Sequence, residues 1–119
     1  MHEFKGVYPI LATPFRSDES FDEDSLRRML AFMARIGVQG VTVLGVLGEA
    51  NRMGDREREA IIRTAVDEVG SRMTVIVGIS HPGTRATVDL GQMAAELGAH
   101  ALMVTPSAEP APNDARVAE

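Results

Sequence analysis

Apolar residues along the chain fall into two alternating patterns. Residues 7–12, 41–44, 74–79 and 101–104 are short runs rich in Val, Ile and Leu. Runs of this length and continuity predict strands of a parallel sheet. The longer segments between them carry apolar residues at helical spacing. Leu26, Met29, Leu30, Met33 and Ile36 form one stripe, Ile61, Ile62, Ala65, Val66 and Val69 a second, and Ala86, Leu90, Met93, Ala94 and Leu97 a third. Asp22 is placed to cap the first helix, with Phe21 and Leu26 at the positions of a hydrophobic staple. Gly54, with Glu57 three residues on, and Thr84 can open the other two. Gly37, Gly70 and Gly98 follow the last apolar residue of each helix, where a left-handed terminal residue is least costly as glycine.

The predicted order is strand, helix, strand, helix, strand, helix, strand, with strands starting roughly 25 to 35 residues apart, the length of a βα unit. A faint internal echo fits this. Ala34, Ile36, Gly37, Val38, Val41 and Val43 align with Ala95, Leu97, Gly98, Ala99, Leu102 and Val104, although any two helix-to-strand turns can look this similar. Beyond Thr105 and Pro106 the chain turns proline-rich. Asn113 and Asp114 then resemble a fresh helix cap, so residues 1–119 read as one unit that stops within a fourth βα repeat.

Composition narrows the class. The 119 residues are 45% hydrophobic and 24% charged, a globular balance, with a net charge of −5. No basic run suggests nucleic acid or an anionic membrane as partner. Cysteine is absent, which excludes disulfides and thiolate zinc sites. No apolar stretch approaches the roughly 20 residues of a membrane helix, and the N-terminus has no signal-like apolar segment. A cytoplasmic protein is expected. Of the 12 basic residues, Lys5 is the single lysine. Any chemistry needing a lysine amine has one candidate here, next to the N-terminus.

Parallel α/β folds bind ligands at the carboxyl ends of their strands. Four segments occupy such positions: Thr13-Pro14-Phe15, Gly45-Val46-Leu47-Gly48-Glu49, Gly78-Ile79-Ser80-His81, and Thr105-Pro106. Two glycines bracket the second, so backbone N–H groups can approach a carboxylate or phosphate closely. The loop has neither the Lys-Ser/Thr ending of a P-loop nor a third dinucleotide-type glycine. A plain connecting turn fits the same pattern. His81 is a weaker acid-base candidate. His2 and His100 lack partners at ligand spacing, so no metal is expected. Asp18, Glu19, Asp22, Glu23 and Asp24 suit a solvated helix approach better than a cation loop. Arg52, Arg56, Arg58 and Arg63 alternate with Glu57 and Glu59 and predict an exposed, charge-paired helix face.

These segments, in this order and spacing and together with Val75-Ile76-Val77-Gly78, resemble the dihydrodipicolinate synthase / N-acetylneuraminate lyase family of class I aldolases. The resemblance implies a (β/α)8 TIM barrel, of which four parallel strands and three full helices would lie here, commonly as a homo-oligomer. It implies a Schiff base between pyruvate or a related 2-oxo acid and a lysine on the sixth strand, with no separate cofactor. The glycine-bracketed loop would hold the 2-oxo acid carboxylate. That role falls on the backbone of Val46 and Leu47, with Gly45 and Gly48 shaping the turn, Glu49 bracing it, and Thr13 and Pro14 nearby.

The chain departs from the family at Val46 and Leu47, where hydroxyl residues are usual, and at Ser107 and Ala108, where aromatic residues follow Thr-Pro in the synthase branch. With no residue matching the Schiff-base lysine, no catalytic residue is assigned and the chain alone is expected to be inactive. Two other readings are a non-catalytic binding or assembly module, and a small doubly wound α/β domain binding a carboxylate or phosphate. A doubly wound sheet would order its strands non-sequentially.

Overall fold

The computed structural model describes residues 4–106. His2, the stretch 107–112 and the Asn113-Asp114 cap lie outside the described residues. Helix α1 spans Glu23–Ile36, strand β1 Gly40–Val43, helix α2 Asp55–Val69, strand β2 Thr74–Gly78, helix α3 Thr84–Glu96 and strand β3 Ala101–Met103. The strands form one parallel sheet in the sequential order β1-β2-β3.

Residues 7–12 run beside the free edge of β1, as the apolar pattern predicts, but pair through one parallel bridge, Ile10 with Thr42. Leu11 N–H donates to the Thr42 carbonyl at 2.9 Å, and Thr42 N–H donates to the Pro9 carbonyl at 2.8 Å. Pro9 has no N–H with which to extend the ladder toward Gly40, which limits this segment to a bridge. All four predicted strand segments thus neighbour one another in chain order, which sets aside the doubly wound alternative.

The helices cover one face of the sheet. Val41 and Val43 are in register with Val75 and Val77. These four valines join Leu26 and Leu30 of α1, Ile61, Ile62, Ala65 and Val69 of α2, and Leu90 and Ala94 of α3 in a single apolar cluster. Leu26, Leu30, Ile61 and Ile62 are almost fully buried, each contributing about 1.5–3 kcal/mol of transfer free energy. On the opposite face, Ile10, Thr42, Ile76 and Ala101 share one register row, and Gly78 and Met103 the next. Ile10 and Met103 on this face are exposed. Helices on one side and sequential parallel strands are the arrangement of a barrel wall.

Caps follow the sequence with two differences. The Asp22 carboxylate accepts from Ser25 N–H at 3.1 Å, and Phe21 packs against the cluster that contains Leu26. Gly37 and Gly98 adopt φ of 84° and 103°. Gly70, expected to be left-handed as well, has φ −61° and is right-handed. Its glycine is required by space instead, because a Cβ there would lie 2.5 Å from the Val66 carbonyl oxygen. Helix α3 is capped by Gly83, and Thr84 is its first helical residue.

Candidate functional site

Strand β1 ends abruptly. Leu44 is buried yet has φ 61°, a left-handed conformation that costs a non-glycine residue roughly 1–2 kcal/mol. This turn breaks the alternation of the strand and throws residues 45–49 across the carboxyl end of the sheet. Gly45 lies between the neighbouring segments, where a Cβ would come within 2.9 Å of Ile10 Cγ2 and 3.5 Å of Met103 Cε. From β2, Gly78 passes so close to the Leu44 carbonyl that a Cβ would overlap it. The two glycines let three adjacent chain segments converge under one loop.

Within the loop, Gly48 N–H donates to the Gly45 carbonyl and Glu49 N–H to the Val46 carbonyl, both at 3.0 Å. Two amides are thereby used within the turn itself. The N–H groups of Val46 and Leu47 have no acceptor among the described residues. Their side chains are the outermost part of the turn, 92% and 65% exposed. The loop thus presents two adjacent backbone donors at the open end of the strands, flanked by aliphatic groups.

Three anchors hold the turn. The buried Thr13 hydroxyl donates to the Gly48 carbonyl at 2.6 Å. The carbonyl of the next residue, Pro14, accepts from Asp22 N–H at 3.0 Å, which ties this segment to the start of α1. The third anchor is Arg58. Sequence pattern put Arg58 on an exposed charged face, but it is buried, at 7% exposure. Its Nη2 donates to the Ala50 carbonyl at 2.6 Å and its Nε to the Met53 carbonyl at 3.3 Å, across the short 3-10 turn Ala50–Arg52. The cause of the burial is visible in the spacing. Arg58 falls three, four, seven and eleven residues before Ile61, Ile62, Ala65 and Val69, on the core stripe of α2. The rest of the predicted charged face is on the surface, where Arg63 pairs with Glu59 at 2.7 Å.

Glu49 has φ 55°, and its carboxylate reaches Arg52 at 3.8 Å on the surface. Ser80 Oγ accepts from Thr105 N–H at 2.8 Å, joining the ends of β2 and β3 beside the loop. His81 is exposed, and its Nδ1 accepts from Gly83 N–H at 2.9 Å, so the ring shapes the entry to α3. His100 Nδ1 accepts from Val75 N–H at 3.0 Å. Lys5 is at the other end of the sheet, in a cleft with Tyr8, Gln39, Arg72 and Thr74. No cluster of three metal-ligating side chains occurs among the described residues. No helix among them is long and apolar enough to cross a membrane.

A wall of sequential parallel strands backed by helices on one face, with a backbone-lined loop at the carboxyl ends, defines part of a (β/α)8 barrel. Residues 3–110 match the model of the dihydrodipicolinate synthetase family, and the chain belongs to that family. It is 42% identical over 102 residues to 4-hydroxy-tetrahydrodipicolinate synthase of Stenotrophomonas maltophilia, an alignment covering 85% of this chain and 34% of the relative. It is 38% identical over 104 residues to a DapA-like lyase of Rhizobium meliloti, covering 87% and 35%. A crystal structure of dihydrodipicolinate synthase from Rhodopseudomonas palustris superimposes with a TM-score of 0.80 at 40% identity, over 85% of this chain and 33% of that one. YagE, a prophage protein of the same family from E. coli K12 crystallised with pyruvate, gives 0.88 at 31% identity, over 96% and 38%. The chain therefore spans about a third of the length of these lyase-type relatives.

Proposed function

We propose that this chain forms the part of a Schiff-base lyase or aldolase that holds the carboxylate of pyruvate or a related 2-oxo acid. It comprises the first half of the barrel and the beginning of a fourth βα unit. The observation that carries this reading is the pair of adjacent N–H groups at the exposed residues Val46 and Leu47, which have no acceptor among the described residues. Adjacent amides fixed by their own turn can donate to a carboxylate without reorganising, and charge-assisted bonds of this kind are stronger than neutral ones. Gly45 and Gly48 shape the turn, Thr13 secures it from behind, and Pro14 fixes Thr13 to α1. Glu49 contributes the left-handed backbone step into Ala50–Arg52.

The family resemblance implies that a lysine amine forms a Schiff base with the keto carbon of the bound 2-oxo acid. Lys5 lies at the opposite end of the sheet from the loop, so the amine must come from outside this chain. Val46 and Leu47 bring no hydroxyl to the loop, and proton transfer there cannot pass through their side chains. The open face at Ile10 and Met103 favours association with further apolar surface, including that of a homo-oligomer.

A pyruvate titration of the 15N-labelled chain tests the reading. We expect the Val46 and Leu47 amides to shift progressively, and the uncharged ketone hydroxyacetone to leave them in place. Borohydride treatment with pyruvate should add no mass to the chain. Loop amides that do not respond, or that respond equally to hydroxyacetone, overturn the carboxylate assignment. A reduced adduct on Lys5 overturns the division of labour.

A further inference from the structure

From the burial of Arg58 and its two backbone partners, we infer that it is the positioning residue for the anion-holding loop, a role that rests on the carboxylate reading above. The observations are specific to a guanidinium. Its donors form a rigid planar fork, and two of them meet carbonyls three residues apart, at Ala50 and Met53. Those carbonyls flank the 3-10 turn Ala50–Arg52, which starts immediately after Glu49. Arg58 N–H also donates to the Gly54 carbonyl at 3.1 Å, so the residue that clamps the turn is itself fixed in the first turn of α2.

The loop is thereby held at both ends. Thr13 takes the Gly48 carbonyl, and Arg58 takes the two carbonyls just downstream. With these carbonyls engaged by Thr13 and Arg58, the Val46 and Leu47 amides are left without an acceptor among the described residues. Among the described residues, the Arg58 side chain has no ion pair with a carboxylate. Its positive charge is solvated by backbone carbonyls but not cancelled by a carboxylate, and so adds a favourable potential for an anion at the adjacent loop. A lysine in its place can reach one carbonyl but not span two. Methionine suits the apolar stripe and spans neither.

The experiment compares wild type, Arg58→Lys and Arg58→Met by amide hydrogen exchange without ligand and by pyruvate titration followed at the Val46 and Leu47 amides. We expect Arg58→Met to lose protection across residues 48–53 while α2 and the sheet keep theirs. Pyruvate affinity should fall about tenfold, as when a binding-competent loop is populated one-tenth of the time. Arg58→Lys should fall between the two proteins in both measurements. Unchanged exchange at 48–53 in both variants overturns the positioning role. So does a loosened loop that binds pyruvate with wild-type affinity. If Arg58→Met unfolds globally, Arg58→Lys decides on the same two criteria. A wild-type chain that shows no pyruvate response defeats the carboxylate reading and with it the role in binding, a result distinct from unchanged loop exchange.

Discussion

Thr13 and Gly48 are 35 residues apart in the chain and are joined by a 2.6 Å hydrogen bond that is buried. It links the segment beside β1 to the loop that follows β1. Replacing Thr13 by valine keeps the shape and leaves the Gly48 carbonyl without its donor. We expect a loss of about 1–2 kcal/mol in stability by urea denaturation, and weaker pyruvate binding at the loop. Thr13→Ser should retain most of both.

Gly78 gives a steric test. A Cβ there would overlap the Leu44 carbonyl backbone, which cannot move without disturbing β1. Gly78→Ala should cost roughly 1–3 kcal/mol, as overpacking does in dense interiors. Gly54→Ala is the control without a steric clash, since nothing lies within 4 Å of a Cβ there, and its own cost is confined to alanine's weaker N-cap of α2. Equal midpoints for the two variants in chemical denaturation would contradict the close approach.

Glu49→Gly separates backbone from side chain. The substitution relieves a left-handed φ of 55° and removes an exposed contact with Arg52 that is worth little at 3.8 Å. The gain of about 1 kcal/mol from relieving φ is partly offset by glycine's extra unfolded-state entropy. The expected change is between about 0 and 1 kcal/mol of added stability, with pyruvate binding unaltered. Marked destabilisation in thermal unfolding would show that the carboxylate braces the loop.

Part of the acid sensitivity should be traceable to Asp22, alongside Asp18, whose carboxylate is lowered by the Ser20 hydroxyl and N–H. The Ser25 hydroxyl and N–H donate to its carboxylate at 2.7 and 3.1 Å, holding the group below the usual carboxylate value of 3.8. A folded-state value lower than the unfolded one means the stabilisation is present above pH 3.8 and is lost as pH falls through the folded value. Asp22→Asn should keep the cap while removing its contribution to the acid limb. Asp22→Ala should lose the cap at every pH. Thermal melts between pH 2 and 7 check the distinction.

Patterns that repeat with the helix or strand were legible in the sequence, because burial imposes them over many residues. The three helical stripes and the Asp22 cap are of this kind. Pairwise events were less so. Pro9 could be recognised as a residue without a donor, but only the register of Ile10 with Thr42 shows that the lost ladder bond is the one toward Gly40. Gly70 reads the same as Gly37 in sequence, yet one is demanded by the Val66 carbonyl and the other by φ. The loop at 45–49 was visible as two bracketing glycines, and Thr13 as a residue near it. Arg58 was misread because its neighbours Arg56, Glu57 and Glu59 are charged. Its place on the Ile61, Ile62, Ala65 and Val69 stripe held the contrary signal.

The sequential pairing of residues 7–12, β1, β2 and β3 also bears on how the protein is made. Each strand hydrogen-bonds to the one synthesised just before it, and the helix between them packs into the same apolar cluster. The sheet can grow at one edge as the nascent chain emerges, without waiting for a distant partner. Each step then closes a loop of only about one βα unit, roughly 25 to 35 residues, rather than one spanning the whole sheet. Translation can therefore set the order of assembly, and the growing edge is the surface a chaperone would meet first.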